Sequence, residues 1–257
     1  MGHAALTQLR VIGATILREL HTRFGRDNIG YLWFLVEPMM LATGITVVHL
    51  VTIKGMSNGM QVGPFYVTGY CCYMMFRSNL NRAAGTIDSN RTLLFHKYVT
   101  LVDLVLARCT LEAAAVLSAM YLLLAGCTAL GLGHMPDRPL FLLAGLGLMF
   151  WFTTGLAMVL CAAGEFSTAV ERLVHPATYL TLPVSGMFYL IEWLPEPFRH
   201  IIAWIPLPQI IELVRMGEFG SFDSPYVNPP YLIAWCSALT LCGLSGLRVA
   251  RRRMEFS

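Results

Sequence analysis

The sequence predicts an all-α integral membrane protein with six transmembrane helices, an N-terminal amphipathic interface helix and an external re-entrant hairpin between helices five and six. Three observations carry this. Apolar residues make up 56% of the 257 and charged residues 13%, with a mean hydropathy of +0.61, against roughly 25% charged in a soluble domain. The apolar residues gather in runs close to the ~20 residues that cross a bilayer. Basic residues gather between alternate runs, following the tendency of Lys and Arg to remain cytoplasmic.

At the N-terminus Leu6, Leu9, Gly13, Ile16, Leu17, Leu20 and Phe24 recur at three- and four-residue steps, while Gln8, Thr15, Arg18, His21, Thr22 and Arg23 fall elsewhere around the helix. Residues 1–30 therefore predict a helix lying on the membrane surface rather than a secretory signal. They run without a linker into the first span, 32–53, where charges stop apart from Glu37. Residues 54–63 form a glycine-containing turn. The run 64–76 is too short to cross alone, so its helix continues through Arg77, Asn79, Asn81 and Arg82, which must face protein or water.

Residues 86–97, TIDSNRTLLFHK, start acidic, pass through Leu93, Leu94 and Phe95 and finish basic. They predict a short helix at the membrane face with that apolar cluster exposed. The third span is 101–132, with Asp103, Arg108 and Glu112 in its first turns, and 133–139 turn it into the fourth, 140–163. A charged loop, 164–175, leads to a fifth span at 176–193, interrupted by Pro183 and Gly186. Within 194–228 the apolar stretch 200–213 is short and broken by Pro206 and Pro208. The sixth span is 229–247, followed by RVARRR at 248–253, and 1–257 reads as one transmembrane domain.

Charge parity decides the topology of 194–228. If that segment crossed, the arginines at 248–253 would lie opposite Arg10, Arg18, Arg23 and Arg26. If it dips in and returns, both termini are cytoplasmic. Fourteen of the 18 basic residues then lie on the cytoplasmic side, leaving Lys54, Arg138, Arg199 and Arg215 outside. The re-entrant backbone is tolerated where it is buried in protein or lines a wet cavity.

The sequence excludes several function classes. It has no GxxxxGK[ST] phosphate loop, no HExxH, no GxSxG and no paired-carboxylate motif, so it shows no catalytic residues and no means of using ATP. The seven cysteines sit inside apolar runs without metal-ligand spacing and read as buried free thiols, with no metal bound. His49 and His175 read as helix-end or packing residues before proton relays.

Three features stand out, each with a plainer alternative. The stretch 18–38, with Arg23, Gly25, Arg26, Gly30 and Trp33, is either an amphipathic anchor or a hinge joining surface helix to span. Residues 86–97 are either a solvated loop or a docking knob for another protein. Phe188, Tyr189, Trp193, Phe198 and Trp204 are either an interfacial aromatic belt or a stacking surface for sugar rings.

With TRFGRDNIGYLWFLVEP at 22–38, NRTLLFHK at 90–97, LPVSGMFY at 182–189 and PLPQIIELVRMGEF at 206–219, in that order, the chain resembles the membrane subunit of type 2 ATP-binding-cassette exporters. Within them it is most similar to the capsular-polysaccharide export permeases, over nearly its whole length. The resemblance implies a homodimer working with two copies of a separate ATPase subunit, which supplies the ATP and Mg chemistry, this chain binding no cofactor. It implies that the surface helix and Asp88, Asn90, Arg91, Leu93, Leu94, Phe95 and Lys97 couple to the ATPase. ATP-driven closure would tilt the first, second and fifth helices and open a pathway between the two copies. Arg77, Asn81 and Arg82 would meet an anionic glycan or its lipid phosphate, which guanidinium groups pair well, with cytoplasmic anchoring as the plainer alternative. The implied function is export of a lipid-linked acidic polysaccharide across a bacterial inner membrane, with a periplasmic co-polymerase and an outer-membrane channel as partners and no nucleic acid. Export of O-antigen, teichoic acid or a small lipophilic compound, an intramembrane transferase and a non-transporting scaffold are the alternatives.

Overall fold

The computed structural model describes residues 2–24, 30–53, 59–94 and 99–256, and among them every regular element is helical. The helices are α1 (Gly2–Phe24), α2 (Gly30–Thr52), α3 (Val62–Ala83), α4 (Thr86–Ser89), α5 (Arg91–Leu94), α6 (Leu101–Ala129), α7 (Pro139–Phe166), α8 (Thr168–Leu180), α9 (Glu196–Ala203), α10 (Pro206–Glu218) and α11 (Pro229–Phe256), with single 3-10 turns at Leu182–Val184 and Ile191–Trp193. Among the described residues four stretches are long and apolar enough to cross a membrane: Leu35–Thr52, Leu101–Ala129, Pro139–Phe166 and Pro229–Arg253.

Local chemistry sets the boundaries. Thr100 caps α6 reciprocally, its hydroxyl accepting from the Asp103 N–H at 3.3 Å while the Asp103 carboxylate accepts from the Thr100 N–H at 2.9 Å. Pro139 opens α7 where its missing N–H costs nothing. Ser167 ends α7 and caps α8, its hydroxyl accepting from the Ala169 N–H at 3.3 Å.

α3 is the axis of the molecule, buried along almost its whole length. It runs antiparallel to α6, with Gly63 beside Cys127 at one end and Arg82 3.3 Å from Glu112 at the other. It runs parallel to α7, where Phe76 stacks on Phe152 and the Asn79 amide donates to the Thr153 hydroxyl at 3.3 Å. Because α3 packs on protein, its polar C-terminal turns avoid lipid. α7 and α11 also run parallel, and Gly243 lets them approach: a Cβ there would sit 2.6 Å from that of Met158. The arginines of α11, Arg82 and Arg91 mark the basic end of the bundle; the last turn of α2, the first turn of α3 and the α6–α7 turn mark the far end.

Three expectations need correction. Residues 164–175 are not a loop, because α7 continues to Phe166 and α8 starts at Thr168. The fifth segment is instead helical only to Leu180, where Pro183 and a left-handed Gly186 (φ +76°) replace helix with irregular backbone. The whole segment still runs antiparallel to α3: Glu171 lies beside Gly85, Thr178 accepts from the Tyr73 hydroxyl at 2.7 Å, Met187 abuts Gly69, and Trp193 stacks on Phe65 at 5.5 Å. Residues 86–94 are two single-turn helices separated at Asn90, not one helix. All seven cysteines are free and five are buried.

Candidate functional site

At the basic end four elements meet on one guanidinium. Arg108, two turns into α6, donates through Nη2 to Glu19 of α1 at 2.9 Å, and through Nη1 to the Arg82 carbonyl of α3 and the Thr86 hydroxyl of α4, both at 2.9 Å. The Arg108 and Glu19 side chains are only 12% and 9% exposed, so this pair is weakly screened. Arg18 adds a second tie, donating to the Asn90 side-chain oxygen at 2.9 Å, while the Asn90 amide holds the Thr86 carbonyl at 3.0 Å. A third joins the Gln8 amide to Asp103. Gln8, Thr15 and Glu19 share one face of α1, turned to α6, whereas Leu17, on the opposite face, is 60% exposed. α1 thus turns a polar face to the bundle, while Arg10, Ala14, Leu17 and His21 share its exposed face.

The expected coupling residues divide across this junction. Asn90 lies inside it, and Asp88 and Arg91 form an exposed pair at 3.0 Å on its outer surface. Leu93 and Leu94 are not an exposed knob: both are partly buried against a cluster that includes Ala83, Ile87, Leu101 and Leu104. Burial there follows from α5 folding back toward α6. Phe95 and Lys97 lie outside the described residues. Of the expected hinge, Gly25 and Arg26 lie outside them too; Arg23 falls at the end of α1, Gly30 and Trp33 at the start of α2, and only their backbone is described.

The expected pathway residues are not all brought together. Arg77 and Asn81 lie one turn apart on α3 and face α8, where Arg77 bonds the Tyr179 hydroxyl and lies 4.1 Å over its ring, and Asn81 accepts from Thr178 at 2.8 Å. Arg82 turns to α6 and Glu112. Tyr179 is 54% exposed, so the Arg77 face is open.

At the far end Phe188 stacks with His49 at 5.8 Å and Trp193 with Phe65, while the Tyr189 hydroxyl donates to the Pro183 carbonyl at 2.9 Å. Trp204 lies apart from these rings, edge-on to Tyr231 of α11.

Sequence reasoning missed the centre of the far end, Arg215. Its side chain, fully buried at 0% exposure, donates through Nη1 to the Gly186 and Tyr189 carbonyls at 2.8 Å and through Nη2 to the Met187 carbonyl at 2.5 Å. The guanidinium also lies 3.7 Å over the Phe65 ring. One turn earlier on α10, Glu212 accepts the Ile191 N–H at 2.7 Å. α10 therefore supplies the donors and acceptor that the unwound backbone of 186–191 lost with its helix. The available signal was a Glu and an Arg three residues apart inside an otherwise apolar helical stretch.

A surface clasp closes the same end. Arg138 pairs with Asp223 at 2.5 Å and donates to the Gly220 carbonyl at 2.8 Å, and its hydrogen bond holds the Asp223 carboxyl below its ordinary pKa. Beside it Glu218 is fully buried and neither carboxylate oxygen has a hydrogen-bond partner. Burial pushes its pKa up to about 7, with Asp137 adding to the rise and His134 opposing it.

A family model for ABC-2 type transporters matches residues 10–219. The chain is 34% identical over 238 residues to the capsule polysaccharide export inner-membrane protein CtrC of Neisseria meningitidis serogroup B, covering 93% of this chain and 90% of that protein. It is 32% identical to the capsule polysaccharide export inner-membrane protein BexB of Haemophilus influenzae, over 92% and 89% of the two chains. It is 24% identical to the polysialic acid transport protein KpsM of Escherichia coli, over 95% and 94%.

Proposed function

Because the chain belongs to the ABC-2 type transporter family, we propose a specific working arrangement for it. It is a multi-pass inner-membrane protein and the permease subunit of capsular polysaccharide export, a transport subunit of an ABC transporter with a partner ATPase and a polysaccharide substrate. Two copies of this chain and two ATPase subunits form the exporter, with both termini cytoplasmic. It crosses the membrane six times: α2, α3, α6, α7, the half-unwound segment 168–193, and α11. The antiparallel register of 168–193 along α3 supports counting it as a crossing. In this arrangement α9 and α10 form the external re-entrant hairpin, which the short length of α10 and its burial against α3 and α7 favour.

The observation that carries the coupling reading is the Arg108 junction. The ATPase docks on α1 and on the exposed Asp88–Arg91 surface. Closure of the ATPase pair pushes α4 and α5, and the Arg108 and Asn90 bonds pass that push to α1, α3 and α6 together rather than to one helix. Arg77 and Asn81 then receive the acidic glycan or its lipid phosphate, and Phe188 and Trp193 lie where the sugar leaves toward a periplasmic co-polymerase and an outer-membrane channel. Co-reconstitution tests this. An Arg91→Glu, Asp88→Arg double variant should lose ATPase co-purification, and Arg108→Met should keep the ATPase yet lose ATP-driven movement of capsule glycan into vesicles. Wild-type vesicles that hydrolyse ATP without moving glycan would overturn the assignment.

A further inference from the structure

α9 is a helix of only eight residues, about 12 Å long, and it is tied down on one side. Arg199 turns inward and donates through Nη2 to the Glu192 carbonyl at 2.8 Å and the Leu194 carbonyl at 3.0 Å. Gln209 of α10 donates to the Ala203 carbonyl at 2.6 Å and accepts from the Asn228 N–H, just ahead of α11, at 3.1 Å. Pro197, Phe198, Ile201 and Trp204 fall on the side opposite Arg199, within about 120° of the helix circumference at about 100° per residue. Phe198, Ile201 and Trp204 are 61%, 64% and 73% exposed there. The exposed polar residues Glu196 and His200 lie along one edge of that face and not within it.

What meets this face follows from its continuity with α11. Trp204 lies edge-on to Tyr231 at 6.2 Å, and the Tyr231 hydroxyl donates to the Trp204 carbonyl at 2.5 Å. Tyr231 lies edge-on in turn to Trp235, one turn further along α11, at 6.3 Å. Trp235 and Ile233 are exposed on a helix long and apolar enough to cross the bilayer, so they face acyl chains. The three rings carry that lipid-facing surface without a break onto α9, at the depth of the first turns of α11, where tryptophan and tyrosine favour the membrane interface. A sugar stacked on α9 would find no polar partner for its hydroxyls within the face. We propose that α9 is a membrane anchor seated in the outer leaflet, with Phe198, Ile201 and Trp204 among the acyl chains just below the headgroups and Glu196 and His200 toward water. Because Gln209 joins α9 to α10 and to the start of α11, this anchor sets the depth of the whole hairpin. The proposal rests on the reading that the hairpin is external.

Glu196→Cys, Phe198→Cys, His200→Cys and Ile201→Cys are made one at a time in a Cys242→Ser chain, which lacks the exposed native thiol. Each is reconstituted in phospholipid nanodiscs and reacted with a water-soluble maleimide. The reactive thiolate does not form among acyl chains, so Phe198→Cys and Ile201→Cys should react at least about tenfold more slowly than Glu196→Cys and His200→Cys. The four rates should converge once the protein is unfolded in dodecyl sulfate. A second measurement identifies what covers the face. With Trp33, Trp151, Trp193 and Trp235 replaced by Phe, Trp204 emission should be quenched by lipids brominated on their acyl chains and not by aqueous iodide. Equal labelling around the helix would overturn the proposal in favour of a water-facing surface, open to a protein or a glycan. Slow labelling without quenching by bromine would overturn it in favour of contact with a second copy of this chain. On intact spheroplasts the maleimide should reach Glu196→Cys from outside; failure there, with the nanodisc pattern preserved, would overturn the external topology, a failure distinct from the other two.

Discussion

Arg215→Met isolates the far-end knot. Methionine keeps the apolar stem, so the loss falls on the guanidinium: three hydrogen bonds to the Gly186, Met187 and Tyr189 carbonyls and the stacking on Phe65. Bonds from a charged donor contribute about 1.5–3 kcal/mol each, so three amount to roughly 5–9 kcal/mol. Against this, the variant no longer carries the desolvation cost of a buried cation, itself several kcal/mol. The balance is a loss of about 3–5 kcal/mol, the range for removing one side of a buried ionic network. In detergent this should lower the melting temperature by about 10 °C, followed by scanning fluorimetry. Limited proteolysis should show new cleavage within 182–195, the segment whose carbonyls are released. Arg215→Lys, which keeps charge without the forked geometry, should fall between. A melting temperature within about 2 °C of wild type and no new cleavage for Arg215→Met would refute the claim that α10 holds the unwound segment.

Three further outcomes follow from the geometry. Gly69→Ala would place a Cβ 2.5 Å from both the Arg215 Nη2 and the Met187 carbonyl oxygen, so it should cost about 1–3 kcal/mol, read by the same thermal scan. Glu218 is raised from an ordinary 4.5 to about 7, so its contribution is fully present below pH 4.5 and lost as pH rises through about 7, a difference of about 3 kcal/mol. Melting temperatures measured from pH 5 to pH 8 should therefore fall for wild type and stay flatter for Glu218→Gln, which stays neutral. Glu19→Gln should weaken the α1–α6 junction and reduce glycan export per ATP more than it reduces membrane insertion, measured in the co-reconstituted vesicles.

The broad architecture was legible from the sequence because bilayer crossing is a compositional demand. Long apolar runs gave α2, α6, α7 and α11, and the continuation of the second helix through Arg77 to Arg82 follows from length alone. The ordered motif blocks likewise anticipated the exporter family. What local sequence could not settle was which polar groups meet, because partners lie far apart along the chain: Glu19 with Arg108, Gln8 with Asp103, Arg18 with Asn90. Arg77 and Arg82 looked alike as basic residues at a helix end, yet five positions place them on different faces, one open beside Tyr179 and one closed on Glu112. Leu93 and Leu94 looked like a free apolar knob, and only the return of α5 toward α6 half-buries them. The fifth segment is the clearest division. Sequence determined that Pro183 and Gly186 would interrupt it; only the tertiary structure decided that the exposed carbonyls would be answered by Arg215 of α10, because a buried backbone group must find its partner wherever the fold brings one.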